Sequence, residues 1–245
     1  MTSPHDQKYI SCVNYKSTVN LHLASAMLVL AVAVPGTSVL SAQDRPKLEQ
    51  ILLHAKLEVV VPDFRAQGLI LDIGGGGEGV IARLKGKQVV AVDLSKRELE
   101  EAPGEPLIKI VMDARDLKFL DATFSTATVF FTFMYIDPAD HAKVFQELLR
   151  VLAPGGRLLI WDAIFPKKTD PRQLTVLFPL HIKLPKADIN TGYGVKLIEE
   201  QGAAHFVELA KAAGFDVVTQ KDEKGWFHLE LKKKTDSGVT TIQHT

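Results

Sequence analysis

The chain has 245 residues, enough for one α/β domain with a sizeable core and an appendage. Its 29 basic and 29 acidic side chains cancel, so no global field draws the protein to nucleic acid or to an anionic membrane. The single cysteine, Cys12, argues against a disulfide framework, a thiolate zinc site or a cysteine nucleophile, and no period of about 20 to 50 residues marks a repeat protein.

The first element is an apolar run, 21-LHLASAMLVLAVAVPGTSVLSA-42, preceded by Lys8 and Lys16 and broken by Pro35-Gly36. It reads as a secretory signal with a cut near Ser41 or Ala42, as a membrane anchor through residues 21–40, or as a buried N-terminal helix. Beyond it, Leu48, Ile51, Leu52 and Leu57 recur at helical spacing and predict a helix from Pro46 to about Leu57. Leu69 to Ile73 is a short apolar strand, and Glu78 to Leu84 opens a helix. Gln88 to Val92 is a second strand ending at Asp93. Ser95 and Glu98 have capping-box spacing, so a short helix begins there.

Leu107 to Met112 is a third strand, ending at Asp113. The β-branched and aromatic run Thr126 to Phe133 is a fourth. Asp137-Pro138 is a helix start, with an N-cap acid and a first-turn proline, and that helix runs to about Leu152. Pro154-Gly155-Gly156 ends it, and Arg157 to Trp161 is a fifth strand. Residues 166–198 show weak periodicity and carry Lys167, Lys168, Arg172, Lys183 and Lys186. Glu199 to Ala213 is helical with Gly214 as its stop. Phe215 to Thr219 and Trp226 to Leu231 read as strand, turn, strand.

Strands alternating with helices imply a doubly wound, mostly parallel sheet with helices on both faces. The last two strands have no room for a crossover, so the C-terminal strand must run antiparallel. In such sheets ligands sit beyond the carboxyl ends of the strands.

The stretch 69-LILDIGGGGEGVIARL-84 carries the chemistry. Gly74, Gly76 and Gly79 fit G-x-G-x-x-G with Asp93 about 20 residues on, the fingerprint of a nicotinamide dinucleotide site. Three features pull elsewhere. Asp72 interrupts the strand where such sites keep an apolar residue, and a carboxylate there suits a cationic ammonium. Asp113 then Ala114 end the third strand, where an adenine amino group could donate. Pro154-Gly155-Gly156 precedes the fifth strand, and the chain ends in a hairpin.

Together LDIGGGGEG, VVAVD, MDARDL and the stretch from Phe124 to Asp162 resemble a class I S-adenosylmethionine-dependent methyltransferase. The resemblance covers about Leu69 to Asp162 closely and the C-terminal end in outline. It implies S-adenosylmethionine as cofactor and in-line methyl transfer to a small-molecule acceptor. It places Asp72, Gly74, Gly75, Gly76, Glu78, Asp93, Leu94, Asp113, Ala114 and Phe131 at the cofactor, with Asp93 on the ribose and Asp113 and Ala114 beside the adenine. Glu78 departs from the family, which has glycine there, and Ser125 replaces a frequent acid.

On the substrate side the candidates are Tyr135, Asp162, His181 and Tyr193, with Tyr135 and His181 as catalytic candidates. His141 is expected to face solvent, and Phe130, Phe133 and Met134 to sit in the core. No metal site is expected. The basic 166–198 insert lacks the aromatic interleaving of nucleic-acid grooves, so no nucleic-acid partner is expected. The chain is thus expected to divide into a signal-like or anchor segment (1–42), read from its apolar run, and a single methyltransferase domain (43–245), which the resemblance implies. That domain comprises a cofactor-binding core (69–165), a substrate-side insert (166–198) and a C-terminal helix and hairpin (199–245). The cofactor is a cytoplasmic metabolite. The catalytic domain is thus expected in the cytoplasm unless the N-terminal segment anchors or exports it. A nicotinamide-dependent oxidoreductase and a non-catalytic nucleotide-binding module are the alternatives.

Overall fold

The computed structural model describes residues 47–235. The signal-like segment 1–42 and the C-terminal ten residues lie outside the described residues. Among the described residues no helix is long and apolar enough to cross a membrane.

The described residues open with a single 3-10 turn, Leu48–Gln50, and two short strands, β1 (Ile51–Leu53) and β2 (Leu57–Val60). This replaces the helix expected from Pro46 to Leu57. The apolar spacing was real, but β8, far along the chain, supplies backbone partners that a helix would not use. Leu57, Val59 and Val61 are buried while Glu58 and Val60 are exposed, the period of two that marks a strand with one covered face.

The central part runs β3 (Ile70–Ile73), α1 (Val80–Lys85), β4 (Val89–Asp93), α2 (Lys96–Glu101), β5 (Ile108–Val111) and β6 (Phe124–Phe130). Ser95 caps α2 as its spacing predicts, its hydroxyl accepting from the Glu98 N–H at 3.3 Å. β6 stops three residues before the expected Phe133. Phe131 takes a φ of +48°, which no extended strand allows, and the chain turns into a 3-10 segment, Phe133–Tyr135. The Asp137 side chain caps the following turn by accepting from the Ala139 N–H at 2.9 Å. The chain then enters α3 (His141–Val151) and β7 (Leu152–Ala163). The Pro154-Gly155-Gly156 stretch sits within β7 as a register shift against β6, with Gly155 at φ +74°.

The remaining elements are β8 (Thr175–Leu184), β9 (Ala187–Lys196), α4 (Ala203–Ala213), β10 (Phe215–Asp222) and β11 (Trp226–Lys233). Gly214 ends α4 in the left-handed region, at φ +116°. Seven strands form one sheet in the order β10-β11-β7-β6-β3-β4-β5. β3 pairs in parallel with β4 and β6, and β11 runs antiparallel to both β7 and β10, as the short terminal turn requires.

A second sheet occupies the weakly periodic insert. β8 and β9 form a long antiparallel hairpin, and β1 and β2 pair in parallel with successive stretches of β8. α3 and α4 cover one face of the seven-stranded sheet with Phe145, Leu148, Phe206 and Ala210. The opposite face is shared by α1, α2 and the second sheet, whose Val59, Phe178 and Ile182 join Val80, Leu99 and Trp161 in one core.

Candidate functional site

The carboxyl ends of β6, β3, β4 and β5 stand side by side, and the loops leaving them surround a cavity of about 410 Å³. Of the residues assigned to the cofactor, Asp72, Gly74, Gly76, Glu78, Asp93, Leu94, Asp113, Ala114 and Phe131 line it, as do Tyr135 and Tyr193. Gly75 does not. A Cβ on Gly75 would lie 2.8 Å from the Ala91 Cβ and 2.9 Å from Asp72 Oδ2, so this glycine exists for packing under the loop.

The glycine turn is shaped by close approach. Gly79 has a φ of +55°, and a Cβ there would fall 2.1 Å from the Pro103 carbonyl oxygen. The Gly74 and Gly75 N–H groups both donate to the Val92 carbonyl, at 2.8 and 3.0 Å, which pins the turn to β4.

Each acid has a defined setting. Asp72 is opposite Thr128 in the β3–β6 register, and the Thr128 hydroxyl donates to Asp72 Oδ1 at 2.7 Å. Burial pushes the Asp72 carboxyl up to about 7. Asp93 accepts from the Ser95 N–H at 2.8 Å and from the Gly76 N–H at 3.2 Å. Burial also raises its pKa, so a ligand group that donates to this carboxylate is favoured. Asp113 is gripped by Arg115 through both carboxylate oxygens, at 2.6 to 3.0 Å, and this pairing holds its carboxyl below the usual range. Arg115 also reaches Asp140 Oδ2 at 2.6 Å, tying the loop after β5 to the turn before α3.

Three expectations are corrected. Asp162 does not line the cavity. It is buried, and it accepts from the Phe133 and Ala163 N–H groups, each at 2.8 Å. It shapes the turn that carries Tyr135. Burial raises its carboxyl to about 7. His181 also lies away from the cavity. It sits on the outer face of the second sheet, with Glu58 at 2.8 Å and Asp188 at 3.6 Å. β8 alternates its side chains, and His181 falls on the wrong face for a base. His141 is fully buried rather than solvent-facing. Its Nε2 lies 3.2 Å from the Phe133 carbonyl and 3.0 Å from that of Ile136, and its Nδ1 lies 3.2 Å from His205. Burial lowers its pKa, so it serves as a neutral bracket between α3, α4 and the cavity turn. Phe133 and Met134 are core residues as expected, whereas Phe130 both joins the core and touches the cavity.

The sequence reading missed Thr128, Thr132, Arg115, Asp140 and Thr191. Thr128 becomes visible only once β6 is registered against β3. Arg115 and Asp140 belong to no motif. Thr191 depends on the hairpin, where it donates to Glu78 Oε1 at 2.9 Å.

The chemistry of this wall decides between ligand classes. Asp72, Glu78, Asp93 and Asp137 face the cavity, and its two guanidinium groups are already engaged, Arg97 with Glu98 and Arg115 with Asp113 and Asp140. A pyrophosphate would meet carboxylates and no free cation among the described residues. A cationic ligand with ribose hydroxyls fits the same donors and acceptors. Among the described residues no cluster could hold a metal ion.

Residues 71–160 match the model of a family described as a methyltransferase domain. A demethylmenaquinone methyltransferase of Thermus thermophilus is 35% identical over 114 residues, 42% of this chain and 51% of the relative. A ubiquinone/menaquinone biosynthesis C-methyltransferase of Desulfotalea psychrophila is 31% identical over 156 residues, 60% of this chain and 57% of the relative. The chain thus spans about half the length of the curated relatives it matches. A solved S-adenosylmethionine-dependent methyltransferase from Methanosarcina mazei superposes with a TM-score of 0.50 at 19% identity, covering 71% of this chain and 95% of that one. Another from Mesorhizobium loti does so with a TM-score of 0.50 at 14% identity, covering 69% and 94%. These structures share the fold.

Proposed function

We propose that the chain carries a class I S-adenosylmethionine-dependent methyltransferase domain and transfers a methyl group from S-adenosylmethionine to a small-molecule acceptor. The observation that carries the reading is the cavity's charge: a buried acid in β3 and a half-buried one at the end of β4, with both guanidinium groups already paired. The relatives named for demethylmenaquinone and for ubiquinone/menaquinone biosynthesis support an acceptor of small-molecule size. The nicotinamide alternative draws no support from either source.

When bound, the cofactor supplies a methyl group activated by a positive sulfonium. This chain's residues bind and align. Asp93, held rigid by two backbone N–H groups, takes the ribose hydroxyls. Gly74 and Gly76 leave room for the methionine part, with Asp72 beneath it. Ala114 and the Asp113 loop flank the adenine. Phe131, Tyr135 and Tyr193 exclude water from the reacting end. Alignment alone can supply several kcal/mol to an in-line displacement. A base is needed only where the acceptor's proton is held tightly, and Tyr135 is the catalytic candidate that remains at the cavity.

Calorimetry of the full chain tests this directly. Binding of S-adenosylhomocysteine with no heat from NADH or NADPH is expected, and the reverse pattern would sink the proposal. Incubation with methyl-labelled S-adenosylmethionine and a metabolite extract should then label a small molecule. A protein that binds the cofactor and labels nothing is a binding module.

A further inference from the structure

Glu78 stands where the family has glycine, and the second sheet explains it. The residue is 8% exposed and lines the cavity. Thr191 of β9 donates to its Oε1 at 2.9 Å, and Oε2 has no hydrogen-bond partner among the described residues. That second oxygen stands open at the cavity wall, where a ligand donor can pair with it.

The direction of that ligand follows from the topology. The ends of β3, β4 and β5 line up as Gly74, Asp93 and Asp113, so the cofactor extends along that row, away from β6. Thr191 and Tyr193 are two apart on β9 and face the core together. Tyr193 meets Phe131 with ring centres 5.8 Å apart and Tyr135 at 6.4 Å. Glu78, Phe131, Tyr135 and Tyr193 therefore form the hairpin side of the cavity, at the β3–β6 end of the row. That end is rich in aromatic rings and carries a carboxylate, and among the described residues no lysine, histidine or free arginine lines the cavity.

Resting on the methyltransferase reading, we propose that Glu78 binds the methyl acceptor, receiving a hydroxyl or amino donor carried on an apolar, ring-sized body, and that the site rejects anionic acceptors. Thr191 fixes the Glu78 rotamer from the second sheet, so that sheet sets acceptor specificity while the seven-stranded sheet holds the cofactor. An anionic acceptor would meet Glu78 and the neighbouring acids with like charge and would find no unengaged cation among the described residues.

The test uses the full chain saturated with S-adenosylhomocysteine. The probes are benzylamine, benzyl alcohol, benzyl methyl ether and benzoate, followed by ligand-observed magnetic resonance. The amine and the alcohol should bind, the ether about tenfold more weakly, as expected for loss of one hydrogen bond to a charged group, and benzoate not detectably. Glu78→Ala should bring the amine and the alcohol down to the ether, and the isosteric Glu78→Gln should weaken the amine most. Both variants should keep the parent's affinity for S-adenosylhomocysteine, which also reports that they fold. Benzoate binding as well as benzylamine overturns the proposal, as does an unchanged amine in Glu78→Ala. A tenfold loss of S-adenosylhomocysteine affinity in both variants overturns it too, by moving Glu78 to the cofactor. Failure of the parent chain to bind S-adenosylhomocysteine would instead strike the methyltransferase reading itself.

Discussion

The two sheets were written into the chain in different ways. Most pairings of the seven-stranded sheet, β3–β4, β4–β5, β6–β7 and β10–β11, join strands adjacent in sequence, and Asp72 and Asp93 lie in strands of that sheet. The second sheet joins residues 51–60 to residues 175–196, and 123 positions separate Glu58 from the His181 it meets. Local pattern can specify the first kind of sheet, whereas the second exists only once its distant partners meet. The proposed functional split follows the same line, with the proposed cofactor groups on the first sheet and the proposed acceptor wall on the second.

Glycine substitutions should break that comparison most sharply. Gly79→Val introduces a branched side chain at φ +55° with the Pro103 carbonyl 2.1 Å from its Cβ. A loss of more than about 4 kcal/mol, or of soluble protein altogether, is expected. In the second sheet, a Cβ on Gly192 meets nothing nearer than the Phe178 carbonyl oxygen at 3.6 Å. Gly192→Ala should therefore change stability by less than about 1 kcal/mol. Urea unfolding measures both, and equal losses would remove the distinction.

The next effect is a pH dependence confined to the first sheet. Burial holds the Asp72 carboxyl up to about 7 in the folded chain, while the unfolded chain ionises it at about pH 4. The folded state keeps this proton over a window in which the unfolded state loses it. Its stabilising contribution is complete below about pH 4 and is lost as pH rises to about 7. Asp72→Asn stays neutral and keeps an acceptor for Thr128. Relative to that variant, the parent chain should lose roughly 2–4 kcal/mol between pH 4 and pH 7. A constant difference from pH 4 to pH 8 would show that Asp72 ionises normally.

Asp93→Ala should weaken S-adenosylhomocysteine at least tenfold, about 1.5–3 kcal/mol, by removing charge-assisted bonds to the ribose. Calorimetry reads this, and an unchanged affinity would take the ribose away from Asp93. The smallest effect belongs to His181→Ala. Its partners Glu58 and Asp188 have side chains 53% and 63% exposed, so about 0–1 kcal/mol is at stake. S-adenosylhomocysteine binding and methyl transfer should both be unaltered. A large loss of turnover would restore His181 as a base.

The acids Asp93 and Asp113 could be placed from sequence because the strand period and the turn residues after each strand locate a carboxyl end without tertiary knowledge. The terminal hairpin was legible for a similar reason, since Lys224-Gly225 leaves no length for a crossover. The helix expected over Pro46 to Leu57 failed because its apolar stripe fits a helix until β8 is known to compete for the same backbone. His141, Asp162 and His181 were misplaced for one shared cause. A polar residue on a known element still has two faces to choose between, and only packing against α4, the 133–135 turn and β2 makes that choice. Tyr193 lines the cavity, but its place beside Phe131 and Tyr135 is not something pattern alone brings about.

The parallel pairing of β1 and β2 with β8 also constrains how the chain comes off the ribosome. At synthesis rates of about 5–20 residues per second, the partner strand emerges on the order of ten seconds after β1 and β2. During that interval Leu57, Val59 and Val61 have no β8 to cover them, while the β3–β6 units can already pair with one another. The proposed acceptor wall thus closes only after the β3–β6 units are able to form. In a refolding experiment, tyrosine and tryptophan signals near Tyr193 and Trp226 should mature after the cofactor site becomes competent to bind S-adenosylhomocysteine.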